Sequence, residues 1–259
     1  MSGAEAVLAL VMLEWTVGWL GAAAWTQWWS VVRRGHFLIL GWGAIALAAL
    51  TLVSLRSAAG DSDAALAAAG ALLGASVLYL AAQYLRTDVP GAVVGTLATV
   101  VGVVALWHTG GLLEWSRVAA VPQLIAGAAL LGGVTNGMLL GHWYLNQPGL
   151  KPWALARLTV LTLVAVAVSA GAGLAAAPRL SNASTSGAVL GIPGFGDSFG
   201  LAFFLIWLAL IVFTGVVVWM ARRCVMIRSI QSATGLYYVA VLTAGVSEFM
   251  VRYLMVNAT

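Results

Sequence analysis

Two glutamates and an arginine lie inside long apolar runs of this chain, where charge is costly and is normally kept for a purpose or a partner. Glu14 falls about ten residues into the first run, and Glu248 about nine residues from the end of the last. At about 1.5 Å per residue, both carboxyls sit roughly 14 Å below the same face of a bilayer. Arg252 follows Glu248 by four residues, so the two share a helix face and can pair within it. Glu14 has no basic residue before Arg33 and must be protonated, paired across helices or solvated by a cavity. The expectation is that Glu14, Glu248 and Arg252 converge on a site in the outer half of the membrane that passes protons or holds a polar headgroup. Gln27, Gln83, Tyr84 and Gln123 are further polar residues that could line a route.

A second constellation closes the fifth apolar run. Gly133, Gly137 and Gly141 recur every four residues and open one helix face to another helix or to a flat ligand. Asn136 lies among them, and the run ends in Gly141-His142-Trp143-Tyr144. His36 opens the second run at the same inner side. Asn136, Gly137, Gly141, His142, Trp143, Tyr144 and His36 are therefore the candidates for a quinone-headgroup site. A haem b between His36 and His142 is a geometrically conceivable alternative, since bis-histidine ligation needs two imidazoles about one macrocycle. His108, near the outer end of the fourth run, cannot join either histidine. The plain alternative is a tight helix crossing, and the pairs Gly70/Gly74 and Gly91/Gly95 indicate that small-residue packing pervades the chain.

Other chemistry lacks its groups. The single cysteine, Cys224, excludes an intrachain disulfide, a cysteine-based zinc site and a cysteine-ligated iron–sulfur cluster, and no metal site is expected. The chain has no Walker A, G-x-S-x-G or H-E-x-x-H motif and no paired acidic prenyl-transfer motif. A retinal Schiff base needs a buried lysine, and the only lysine, Lys151, falls in a connection.

The elements that must position these residues follow from composition. Of 259 residues, 62% are hydrophobic and 8% charged, with a mean hydropathy of +1.01; soluble domains carry about 25% charged residues. A helix needs roughly 20 apolar residues to span a bilayer, and eight such runs are predicted: 4–32, 36–55, 64–85, 91–113, 118–145, 153–176, 199–221 and 232–256. The fold class is an all-α polytopic bundle of about eight transmembrane helices in a single transmembrane domain spanning 1–259. The breaks combine charge with turn formers, as in Arg33-Arg34-Gly35 and 146–152. The longest connection, 177–198, is rich in Gly, Ser and Pro and could fold over a pocket mouth. The first run lacks a basic leader and is expected to be retained as a helix.

Basic residues set the orientation. Arg33, Arg34, Arg86, Lys151, Arg157, Arg222, Arg223 and Arg228 fall on one side, against Arg56, Arg117, Arg179 and Arg252 on the other. Eight against four puts both termini outside. The net charge of +4 is spread over the connections and marks topology, so no nucleic-acid partner is expected. Trp25, Trp28, Trp29, Trp107, Trp115, Trp143 and Trp153 flank the runs as interface anchors. Eleven arginines to one lysine, amid abundant Ala, Gly, Val and Leu, suggest a GC-rich bacterial genome and hence an inner-membrane location. Asn182-Ala183-Ser184 and Asn257-Ala258-Thr259 match a glycosylation pattern that would mean little there.

Two active function classes survive. The first is a quinone-interacting membrane subunit of a respiratory or other energy-converting redox complex, active in electron transport and proton transfer beside subunits that hold the metals. The second is a transporter of a small substrate or ion that uses the buried glutamates. A structural or assembly subunit is a third possibility. Transporter folds often show broken helices near mid-membrane. Here the prolines fall at helix edges or in connections, with only Pro122 inside a run, which favours the redox subunit.

Overall fold

The structure, a computed structural model, describes residues 3–32, 34–58, 62–147, 149–184 and 195–258, and the described residues are helical apart from turns and connections. Arg33, Pro148, Pro193, Thr259 and the 185–194 part of the longest connection lie outside them. The helices are α1 (Gly3–Trp28), α2 (Arg34–Ala58), α3 (Asp63–Ala82), α4 (Val89–Gly110), α5 (Arg117–Asn146), α6 (Trp153–Ala175), the single turn α7 (Ala177–Leu180), α8 (Phe195–Met226) and α9 (Ile230–Asn257). All but α7 are long and apolar enough to cross a bilayer, which makes this a multi-pass membrane protein.

Local chemistry explains where the boundaries depart from the sequence-based expectation. Helix α1 stops at Trp28 rather than residue 32, because Ser30 takes a left-handed φ of 50° that no helix continues. Pro90 sits inside the first turn of α4, where its missing N–H has no helical acceptor to lose. Helix α8 extends through Met226, so Arg222 and Arg223 lie in a helical turn rather than a connection. Arg157, expected at an inner connection, lies within α6.

The helices form two closed rings. Helices α1, α2, α3 and α4 pack each against the next and α4 returns to α1; α5, α6, α8 and α9 repeat the pattern, with α9 returning to α5. The rings meet through α1 on α5, with smaller contacts of α1 on α9 and α4 on α5. Helices α1 and α5 are accordingly the most buried of the eight. Successive spans are antiparallel, through short connections or, for α6 and α8, as shown by Gly173 meeting Trp207 while Val166 meets Gly215, so both chain ends lie at one end of the bundle, called here the terminal end.

Lipid tails are as apolar as leucine, so close packing must hold these helices together. The joint between the rings shows how. A Cβ on Gly18 of α1 would collide with the Ala128 carbonyl and stand 2.9 Å from the Gly132 nitrogen on α5. Small residues at both positions let the two backbones touch. Alanine stripes do similar service elsewhere, as with Ala233, Ala240 and Ala244 of α9, all fully buried. Outward faces carry large apolar side chains such as Trp42, Val53, Leu205 and Val212, suited to lipid.

Candidate functional site

Helix α9 brings Glu248 and Arg252 onto one face, and that face turns toward the joint between the rings. Arg252 Nη2 lies 2.8 Å from Glu248 Oε2 within α9, and Arg252 Nε lies 2.6 Å from Glu14 Oε1 on α1. One guanidinium thus bridges two carboxyls from the two rings. All three side chains are at most 1% exposed.

Helix α5 completes the surroundings. Arg252 Nη2 also donates to the Gln123 carbonyl at 2.8 Å, and the Gln123 amide donates to the Ala172 carbonyl of α6. Ser169 of α6 donates to Glu248 Oε1 at 3.2 Å. Gly127 leaves the space: a Cβ there would stand 2.5 Å from both Arg252 Nη2 and Glu248 Oε2. Fully ionised, two carboxylates and a guanidinium carry one net negative charge, and a single proton makes the cluster neutral.

Toward the terminal end, contacts lead from the cluster to the surface. Arg252 Nη1 donates to Met255 Sδ at 3.3 Å, and Trp115 Nε1 donates to the Met255 carbonyl at 3.0 Å. The Arg179 guanidinium lies 4.4 Å from the centre of a Trp115 ring. Arg179 donates in turn to the carbonyls of Glu114 and Ala258.

The second candidate set divides. His36, Asn136 and Trp143 come together at the opposite end: the His36 ring centre is 5.6 Å from that of Trp143 and 5.2 Å from that of Phe37, and His36 faces Asn136. Asn136 is fixed by donating to the Ala22 carbonyl at 2.8 Å and to Thr26 Oγ1 at 3.2 Å. His36 Nε2 and Asn136 Oδ1 are buried without a well-formed hydrogen bond among the described residues.

The remaining members take other places. Gly137 packs against the ring of Tyr237, Gly141 against Thr234 and Gly133 against Thr162, so this glycine face is a crossing with α6 and α9. Tyr144 donates to the Lys151 carbonyl at 2.6 Å and pins the α5–α6 connection. His142 is exposed while His36 is buried. Neighbouring residues on a helix project about 100° apart, and it is Trp143 that turns toward His36.

Of the polar residues expected along a route, only Gln123 joins the charged cluster. Gln27 and Gln83 pair with each other at 2.7 Å near the opposite end, and Tyr84 is 64% exposed. Ser169, Gly127, Trp115 and Arg179 were not singled out from sequence as parts of this site. Ser169 and Gly127 are common residues in membrane helices, and Trp115 and Arg179 read as an interface anchor and a topology charge. No family model matches the chain, and neither the curated proteins nor the solved structures contain a match to it.

Proposed function

We propose that this protein is a membrane subunit of an energy-converting redox complex in a bacterial inner membrane, with both termini outside, and that Glu14, Arg252 and Glu248 form its proton-binding site. The supporting observation is that one buried guanidinium bridges two buried carboxyls. Such a cluster has two protonation states that differ by one charge, the added proton turning one acceptor-only carboxylate into a carboxylic acid with an O–H donor. Burial makes the neutral, singly protonated state and its ionised partner respond to any nearby change of charge. Reduction of a quinone consumes two electrons and two protons; metal-bearing partner subunits would supply the electrons, and this cluster would take up and release a proton toward the terminal end as the charge nearby changes.

The headgroup site that fits best is the His36–Asn136–Trp143 group. A quinone carbonyl accepts from an imidazole N–H, and a quinol hydroxyl donates to an amide oxygen. His36 Nε2 and Asn136 Oδ1 are such a pair, walled by the rings of Phe37 and Trp143. The excess of basic residues at that end supports its placement on the inner side.

One observation favours transport as a second reading: the charged cluster lies at the joint between two four-helix rings, where relative motion of the rings would act on it. Gentle purification followed by quinone extraction and identification of co-purifying proteins separates the two. Bound quinone and redox partners are expected, with Glu14→Gln assembling normally but turning over slowly. Wild-type turnover in Glu14→Gln removes the proton role; a monodisperse homo-oligomer without quinone or redox partners moves the assignment to transport.

A further inference from the structure

Arg157 stands apart from the other arginines that meet a tryptophan. Its guanidinium lies 5.2 Å from the ring centre of Trp153, at the start of α6, and 5.7 Å from that of Trp29, just beyond the end of α1. The two rings are themselves 5.7 Å apart and tilted by 53°. Arg179 also stacks on a tryptophan, but its N–H groups are engaged by two backbone carbonyls. Among the described residues no carboxylate and no hydrogen-bond acceptor engages Arg157, and it is exposed.

The surroundings select the ligand. Tryptophans gather at headgroup depth, where the ring is buried in the apolar layer and the polar edge is wet. Arg157 lies one turn into α6, so the positive end of that helix favours an anion beside it. The described residues at this end of the bundle carry seven basic side chains against one acid, Asp88. At the terminal end, by contrast, Arg56, Arg117 and Arg179 are matched by Glu5, Asp63 and Glu114. A guanidinium presents a planar fork of donors that fits a phosphate with two hydrogen bonds, and here the fork is already oriented by two rings.

We propose that Arg157, Trp29 and Trp153 form a binding site for the phosphate of an anionic phospholipid. Zwitterionic lipids carry the same phosphate but offset its charge within the headgroup, so the site discriminates by net charge. The site is independent of the quinone reading, since every lipid-embedded form of the protein meets these headgroups.

The test is native mass spectrometry of the full chain released from bilayers of equal phosphatidylglycerol and phosphatidylcholine, counting lipids retained. Wild type is expected to retain phosphatidylglycerol preferentially. Arg157→Gln should lower that preference about tenfold, as loss of a charge-assisted bidentate contact implies. Arg86→Gln, which removes an exposed charge at the same end, should leave most of the preference in place. Equal retention of the two lipids by wild type, or equal loss in the two variants, overturns the proposal. If Arg157→Gln does not assemble, Arg157→Lys carries the test: its charge remains without fork or stacking, so an intermediate loss is expected and full wild-type preference overturns the site. Excess inorganic phosphate should leave the lipid bound, and displacement by it would overturn the lipid assignment.

Discussion

Arg252 joins the first and last spanning helices: its Nε is 2.6 Å from Glu14 Oε1 on α1, while its Nη2 is 2.8 Å from Glu248 Oε2 one turn earlier on α9. Because α1 belongs to one four-helix ring and α9 to the other, this is a charged link across the joint between them. The attraction is strong in a medium of low dielectric, but so was the penalty of bringing the charges there. The sign of any net contribution therefore depends on what is removed.

Removing only the arginine should be the most damaging change. Arg252→Met leaves two carboxyls facing each other without a cation, and loss of one partner from a buried pair typically costs about 3–5 kcal/mol. Replacing Glu14, Glu248 and Arg252 together by Gln, Gln and Met removes charge from every partner and should recover most of that loss. Thermal unfolding in detergent checks this order. A triple variant no more stable than Arg252→Met would show that shape rather than charge holds the joint.

Glycines should divide by what surrounds them. A Cβ at Gly18 meets the Ala128 carbonyl, and backbone cannot move aside as a flexible side chain can. Gly18→Ala should therefore separate α1 from α5 and lower the melting temperature sharply. Gly70 and Gly74 have open space within 4 Å, so Ala at either should stabilise α3 by about 0.5–1 kcal/mol through helix propensity. Equal effects at Gly18 and Gly70 would contradict the close crossing.

These positions also show what sequence made legible. The eight spans could be read because apolar runs of bilayer length between charged turns leave little alternative, and the matched depths of Glu14 and Glu248 put two carboxyls at one level. What depth could not supply was azimuth. Nothing in the spacing says that α1 turns Glu14 toward α9, or that the Gly133–Gly141 face meets Tyr237 and Thr234 rather than a flat ligand. Small-residue faces are compatible with both, and α5 carries two of them: one for α1 through Ala128 and Gly132, one for α6 and α9. Ser169 is a common residue of membrane helices whose facing direction the spacing does not give, and the Gln123 carbonyl is a backbone oxygen, which has no sequence signature.

The amide pair at the opposite end offers a cleaner measure of hydrogen bonding inside the bundle. Gln27 Nε2 donates to Gln83 Oε1 at 2.7 Å, and Gly91 leaves room for both side chains. Gln27→Leu should cost more than Gln27→Leu with Gln83→Leu, because the single change leaves the buried Gln83 Oε1 without its donor, although Gln83 Nε2 keeps the Tyr79 carbonyl. The coupling from the double-mutant cycle should be about 0.6 kcal/mol and no more than about 1.7, the average and the maximum for hydrogen bonds between membrane helices. A coupling indistinguishable from zero would mean that the amides find equally good partners apart.

Access to the charged cluster should be controlled by Trp115 and Arg179. From Arg252 the contacts run through Met255 to the Trp115 indole and on to the Arg179 guanidinium stacked on it, so these two residues cover the approach from the terminal end. Toward the other end, beyond Ser247, which neighbours Glu248 and donates to the Ala244 carbonyl, the next buried polar groups of α6 and α9 are Thr162 and Tyr237, seven and eleven residues from Ser169 and Glu248, with Ala165, Val166, Ala240 and Ala244 buried between. At about 1.5 Å per residue that gap exceeds hydrogen-bond reach several times over. Exchange with solvent is therefore expected from the terminal end. Trp115→Leu and Arg179→Gln should each speed hydrogen–deuterium exchange of the cluster, read from the carboxylic C=O band that Glu14→Gln or Glu248→Gln removes. Substituting Thr162 by Val should leave that rate unchanged. Faster exchange in the Thr162 variant, with none in the other two, would place the route on the opposite side.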